Sequence, residues 1–114
     1  MKLATIEKIW YDLNNKIFAV YGSPLPEIRH YRTRAADYWA CYDENRSAYY
    51  WNKKLDGHKN ICSLVAHEMV HHWQAVYYAD YYESVRVDYN PHDVLFFSWN
   101  NRLSRHGLIL LEHM

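Results

Sequence analysis

Between Ser63 and Gln74 the chain reads SLVAHEMVHHWQ, three histidines and a glutamate within twelve residues. Cys62, Val65, Met69, Trp73 and Val76 recur at three- and four-residue spacing around it, which predicts a helix from about Ile61 to Tyr78 with that set as its core-facing stripe. Positions four apart on a helix lie about 40° apart in projection, so His67 and His71 converge on one side, and Glu68 stands about 100° from His67. Ser63, Gln74 and Tyr78 share the histidine side, whereas His72 falls on the flank of the apolar side. The helix therefore has an apolar back, which includes Cys62 as a buried thiol, and a chemical front.

Half of the 114 residues are hydrophobic and 18% are aromatic, so a single packed domain over residues 1–114 is expected. Lys plus Arg and Asp plus Glu both number 13, which removes the bulk electrostatic argument for nucleic-acid binding. The N-terminus, broken by Glu7, Lys8 and Asp12, is not a signal peptide, and no apolar run reaches membrane-spanning length. Cys41 and Cys62 form no CxxC pair and read as free thiols, so a cytoplasmic protein is expected.

Leu3, Ile6, Ile9, Trp10, Leu13, Ile17 and Val20 keep helical spacing, which predicts an N-terminal amphipathic helix of some twenty residues. YGSPLPE ends it. IRHYRTR, DYWACY and SAYYWN then alternate roughly, and DENR between the last two suggests a hairpin, so a small antiparallel sheet is expected. After the histidine helix comes a polar connection, ADYYESVRVDYN. A third helix is expected to open at NPHD, with Asn90 as N-cap, Pro91 at N1 and Asp93 at N3, and to stop at Gly107.

His67-Glu68-Met69-Val70-His71 is an H-E-x-x-H pattern, which places two imidazoles on one metal and a carboxylate beside them. A catalytic zinc needs three protein ligands and an open position. Downstream candidates for the third are Glu83, Asp88, His92, Asp93, His106 and His113. His92 is favoured, because Phe96, Trp99 and Leu103 follow on its side and turn it inward. The helix N-terminus also disfavours a charged imidazolium there. Glu83 is the next candidate and His106 the weaker rival. A second donor to a developing oxyanion would be one of Tyr78, Tyr81, Tyr82 and Tyr89. Tyr50, Trp51 and Asn52 are either cleft residues or, as the stronger expectation, core.

These residues resemble the SprT-like metallopeptidases, the group that includes the Spartan proteases. The resemblance rests on HEMVHHWQ and on NPHDVLFFSWNNRL, which is similar to the family's downstream His-Gly-x-x-Phe segment. Upstream, SPLPEI and YYWNKKL sit where the family has a Leu-Pro turn and a strand ending in Asn, so the likeness spans residues 1 to 107. It implies a minimal zincin-like α+β domain: N-terminal helix, small antiparallel sheet, HExxH helix, and a C-terminal helix carrying the third ligand. It further implies Zn2+ on His67, His71 and His92, with Glu68 as the catalytic residue activating a zinc-bound water. The implied activity is endopeptidase cleavage of protein or peptide, with DNA-associated proteins among the substrates. Asp93 departs from the family's glycine, the interval from His71 to His92 is longer than in the family, and the C-terminal zinc ribbon of many members is missing.

Two other classes compete. One is a non-catalytic binding module that keeps the zincin shell, against which Glu68 argues because a purely structural zinc needs no general base. The other is single-stranded nucleic-acid binding through HYRTRAADYW with Arg32 and Arg34, against which the zero net charge argues.

Overall fold

The computed structural model describes residues 3–33, 40–43, 46, 48–52, 55, 58–84 and 90–110. The chain opens with helix α1 (Leu3–Leu13), which widens into one π turn over Asn14–Phe18. Gly22 closes this unit at φ 79, where its N–H donates to the Ala19 carbonyl and the Ser23 N–H to that of Phe18. That is a glycine C-cap in the left-handed region, open to glycine at little steric cost. The π turn inserts a residue into the helical repeat and rotates the residues beyond it about the axis. Ile6, Trp10, Ile17 and Phe18 accordingly face the core, while Val20, expected in the same stripe, is 70% exposed. Asn14 then holds the Leu-Pro turn, its side chain donating to the Leu25 carbonyl and accepting from the Leu25 N–H.

Three strands come next, β1 (Arg29–Thr33), β2 (Ala40–Asp43) and β3 (Ala48–Asn52), in the order β1-β3-β2. The expected hairpin is present as an antiparallel β2–β3 pair, but β1 pairs with β3 in parallel, so the sheet is mixed and not antiparallel throughout. The reason is directional. Strands β1 and β2 run oppositely, and the hairpin reverses the chain again. A first strand that joins the far edge of β3 therefore must run alongside it. The expectation assumed that neighbours in sequence would be neighbours in the sheet.

Helix α2 (Ile61–Ser84) crosses this layer and is longer than the expected Ile61–Tyr78. It passes through a kink at Tyr78 (φ −131, ψ 21), whose ring packs on Trp73 at 4.9 Å. Every residue from Ser63 to Val70 is buried, so this stretch is covered on all sides. Val65, Met69 and Trp73 are core as expected, whereas Cys62 is exposed and Val76 is 42% exposed. Cover over the apolar face ends before either position, which corrects the reading of Cys62 as a buried thiol. Among the described residues no helix is long and apolar enough to cross a membrane.

The expected C-terminal helix is two short ones, α3 (Val94–Phe97) and α4 (Asn100–Ser104), separated at Ser98 and Trp99. Gly107 ends the second at φ 74 with the Leu108 N–H donating to the Leu103 carbonyl, so the stop falls at the expected glycine. The start does not fall where expected. Asp93 is the N-cap, accepting from the Leu95 and Phe96 N–H groups, and Asn90 instead accepts from the His92 N–H in an Asx turn. His92 thus sits in the bend before α3, and no helix carries it. Phe96, Trp99 and Leu103 are fully buried, with Trp99 stacked on Phe18 at 4.3 Å and edge-on to Trp73 at 5.4 Å. This packing joins the α1 unit and the α3–α4 segment to α2 and sets the level at which His92 arrives. The described residues form an α+β arrangement of helices on a small mixed sheet.

Candidate metal centre

The helical spacing of four brings the Nε2 atoms of His67 and His71 to 3.1 Å, and the bend before α3 brings the His92 Nε2 to 3.4 Å from that of His67. A nitrogen from each of the three lies within 4.8 Å of the others, and among the described residues these three form the group able to hold a metal ion. Tetrahedral zinc with Zn–N bonds near 2.0–2.1 Å spaces its ligand nitrogens by about 3.3–3.4 Å. The three-imidazole donor set, with two separations of 3.1 and 3.4 Å and all three within 4.8 Å, therefore fits a divalent cation such as zinc.

Phe96 forms the floor. Its ring centroid lies 5.0 Å from His67, 5.0 Å from His71 and 4.8 Å from His92, stacked on His71 and edge-on to the other two. A fully buried aromatic ring under three imidazoles limits their rotamers and keeps water from one side. His67 is itself buried, and His71 and His92 are half-buried.

The second nitrogen of His71 is also committed. Its Nδ1 lies 2.7 Å from Gln74 Oε1, while Gln74 Nε2 donates to the Pro91 carbonyl at 2.8 Å and to the Tyr82 hydroxyl at 2.6 Å. The Tyr82 hydroxyl donates to Asp93 Oδ1 at 3.1 Å, the same oxygen that caps α3. Burial pushes the His71 pKa down to about 4, with the Gln74 hydrogen bond pulling the other way, so the ring is neutral near pH 7. Glu68 is buried beside its neighbours on α2. Without a cation nearby, burial pushes its carboxyl up to about 8, against a hydrogen bond from the backbone of Tyr42 in edge strand β2. A bound dication acts on a carboxylate in the direction opposite to burial.

The other sequence candidates fall elsewhere. Glu83 and His106 are exposed and outside the cluster. Asp93 is the α3 cap, and Asp88, His113 and Tyr89 lie outside the described residues. Among the tyrosines, Tyr78 packs on Trp73, Tyr81 is 46% exposed, and the Tyr82 hydroxyl is taken by Gln74 and Asp93. Trp51 and Asn52 are buried in the central strand, and Tyr50 stacks on Tyr31 at 5.6 Å. His72, on the flank of the apolar side, bonds Tyr42 Oη at 2.8 Å and the Pro26 carbonyl at 3.3 Å. Helical projection gave Gln74 a side of the helix but no role. Its position three residues after His71 puts the two side chains within reach and was the available signal. No protein-family model, curated protein or solved structure matches the chain.

Proposed function

We propose that the chain is a zinc-dependent endopeptidase of the SprT-like kind, with His67, His71 and His92 as metal ligands and Glu68 as general base. The observation that carries this reading is the convergence of three imidazole Nε2 atoms, at 3.1 and 3.4 Å, on the helix that also bears the buried Glu68. A structural zinc would close its shell with a fourth Cys or His, whereas only three donors meet among the described residues.

Each part of the chemistry falls to a named group. Burial keeps His71 uncharged, so its lone pair is available without prior loss of a proton. Phe96 and the surrounding core hold the rings and limit access of bulk water. A zinc ion held by His67, His71 and His92 would supply Lewis acidity and lower the pKa of a nucleophilic water. Glu68 accepts the proton of the attacking water and passes it to the leaving amine. An extended substrate pairs along β2, the edge strand whose Tyr42 backbone reaches Glu68, and not along the central β3. By the family resemblance alone, substrates include proteins held on DNA.

The test is the zinc content and casein hydrolysis of the native chain, His92→Ala and Glu68→Gln. The reading expects one zinc per chain in the native protein and in Glu68→Gln, zinc lost or greatly weakened in His92→Ala, and hydrolysis by the native protein only. Zinc uptake with no hydrolysis, with or without added DNA, would leave a binding module; no zinc uptake would overturn the site altogether.

A further inference from the structure

Gln74 offers one acceptor and two donor hydrogens, and the structure uses all of them on the neighbourhood of the cluster. The Pro91 carbonyl can only accept, so the atom 2.8 Å from it must be the amide nitrogen. That fixes Oε1 as the atom facing His71 Nδ1 at 2.7 Å. An amide oxygen can only accept, so Nδ1 carries the proton and the His71 Nε2, the atom 3.1 Å from His67 Nε2, is left with its lone pair. One backbone carbonyl on the far side of the amide thus determines the tautomer of an imidazole on the near side.

The same amide nitrogen also holds the segment that delivers His92. Pro91 immediately precedes it and Asp93 immediately succeeds it, and both are tied to the Gln74 amide nitrogen: Pro91 through its carbonyl at 2.8 Å, and Asp93 through Oδ1 at 3.4 Å and again by way of Tyr82. Gln74 and Tyr82 are eight residues apart, about 12 Å of rise on a straight helix. The break at Tyr78 lies between them, where α2 departs from helical geometry.

From this geometry we infer that Gln74 is the positioning residue of the metal site. Its oxygen sets the tautomer of His71, and its nitrogen, with Tyr82, fixes the bend that presents His92. The inference rests on reading the three histidines as a metal site. It predicts that the side chain acts on two of the three ligands without touching the metal. Such outer partners typically change metal affinity by about 10–100-fold.

The variants Gln74→Leu, Gln74→Glu and Tyr82→Phe separate the two roles, with Zn2+ and Co2+ alone as probes. Long-range 1H–15N spectra of the metal-free protein read the His71 tautomer directly. They should report Nδ1–H in the native chain and in Gln74→Glu, which keeps the acceptor, but a mixture in Gln74→Leu. Zn2+ affinity, measured by chelator competition on folded protein, should fall about 10–100-fold in Gln74→Leu. It should also fall in Gln74→Glu, whose carboxylate cannot donate to Pro91 or Tyr82, and by less in Tyr82→Phe. The visible absorption of the Co2+ form should lose intensity in the same order as its geometry loosens. Native Nε2–H at His71, or an affinity in Gln74→Leu within twofold of native, would overturn the inference while leaving the metal site standing. A native chain that takes up neither ion would overturn the metal reading, and the tautomer spectra would still decide the Gln74–His71 contact.

Discussion

Phe96 is the residue on which stability and metal binding should part company most clearly. Its ring is fully buried and touches all three histidines, with centroid separations of 4.8–5.0 Å. Phe96→Ala should cost about 3–5 kcal/mol from lost transfer energy and the cavity left behind. For a chain of this length unfolding entropy near 60 °C is on the order of 0.24 kcal/mol/K, so Tm should drop by about 12–20 °C. That alone is what any core truncation does. The specific claim concerns zinc. Ligand binding raises stability by RT ln(1 + [L]/Kd), about 4 kcal/mol at a thousandfold excess over Kd, which is about 17 °C here. If Phe96 holds the imidazoles, truncating it weakens Kd and shrinks the zinc-induced rise. Phe97→Ala is the control, because Phe97 packs on Phe96 edge-on at 5.1 Å and is partly buried in the same core. The assay is thermal unfolding with chelator and with saturating Zn2+ for native, Phe96→Ala and Phe97→Ala. Both variants should melt lower with chelator, and only Phe96→Ala should lose several degrees of the zinc-induced shift. Equal zinc-induced shifts in the two variants would refute the role given to the ring.

The site was more legible in the sequence than the fold around it, and particular residues show why. A spacing of four on a helix is a local rule, so His67 and His71 could be paired from sequence alone. Phe96, Trp99 and Leu103 are each buried as their spacing suggested, and they bring His92 inward although the helix beneath it is broken in two. Packing of the aromatics, and not the continuity of the helix, determines where His92 goes. The misread cap has a similar cause. Asn90 and Asp93 are both good N-cap residues, and the choice between them depends on Tyr82, which reaches Asp93 from the far side of the α2 kink. The parallel partner of β3 was hidden for a different reason, since β1 carries the alternation of a strand but nothing in it encodes direction or neighbour. Val20 shows the limit of periodicity itself, because one π turn rotates an otherwise regular stripe away from the core.

Two further measurements address the scaffold. Gly107→Ala meets no atom within 4 Å of an added Cβ, so its cost is that of placing alanine at φ 74, about 1–2 kcal/mol. A chemical-denaturation midpoint unchanged from native would count against the glycine C-cap as a determinant of the helix end. His30 governs behaviour in acid. Its Nδ1 accepts from Trp51 Nε1 at 3.2 Å, and Trp10, Tyr49 and Trp51 surround the ring. Glu7 and Tyr11 from α1 and Glu27 from the preceding turn line the same cleft. Burial lowers the His30 pKa to about 4. Unfolded, the group titrates near 6.5, so between the two values the unfolded chain binds the proton that the folded chain refuses. The contribution of His30 to stability should hold above pH 6.5, be lost as pH drops from 6.5 toward 4, and level off below that. The half-buried ring is partly screened by solvent, which makes the size of the fall smaller than the shift alone implies. His30→Gln keeps an acceptor for Trp51 and cannot titrate, so its urea midpoint should fall less than native between pH 7 and 5. His71 and His72, which burial also holds uncharged, add to this slope, whereas Glu68, whose carboxyl burial raises to about 8, opposes it because the folded chain then binds the proton more readily than the unfolded one. Parallel curves for native and His30→Gln would mean that the imidazole is charged or solvated in the folded protein. The hydrogen bond from Trp51 argues against that, because a protonated Nδ1 has no lone pair to receive it.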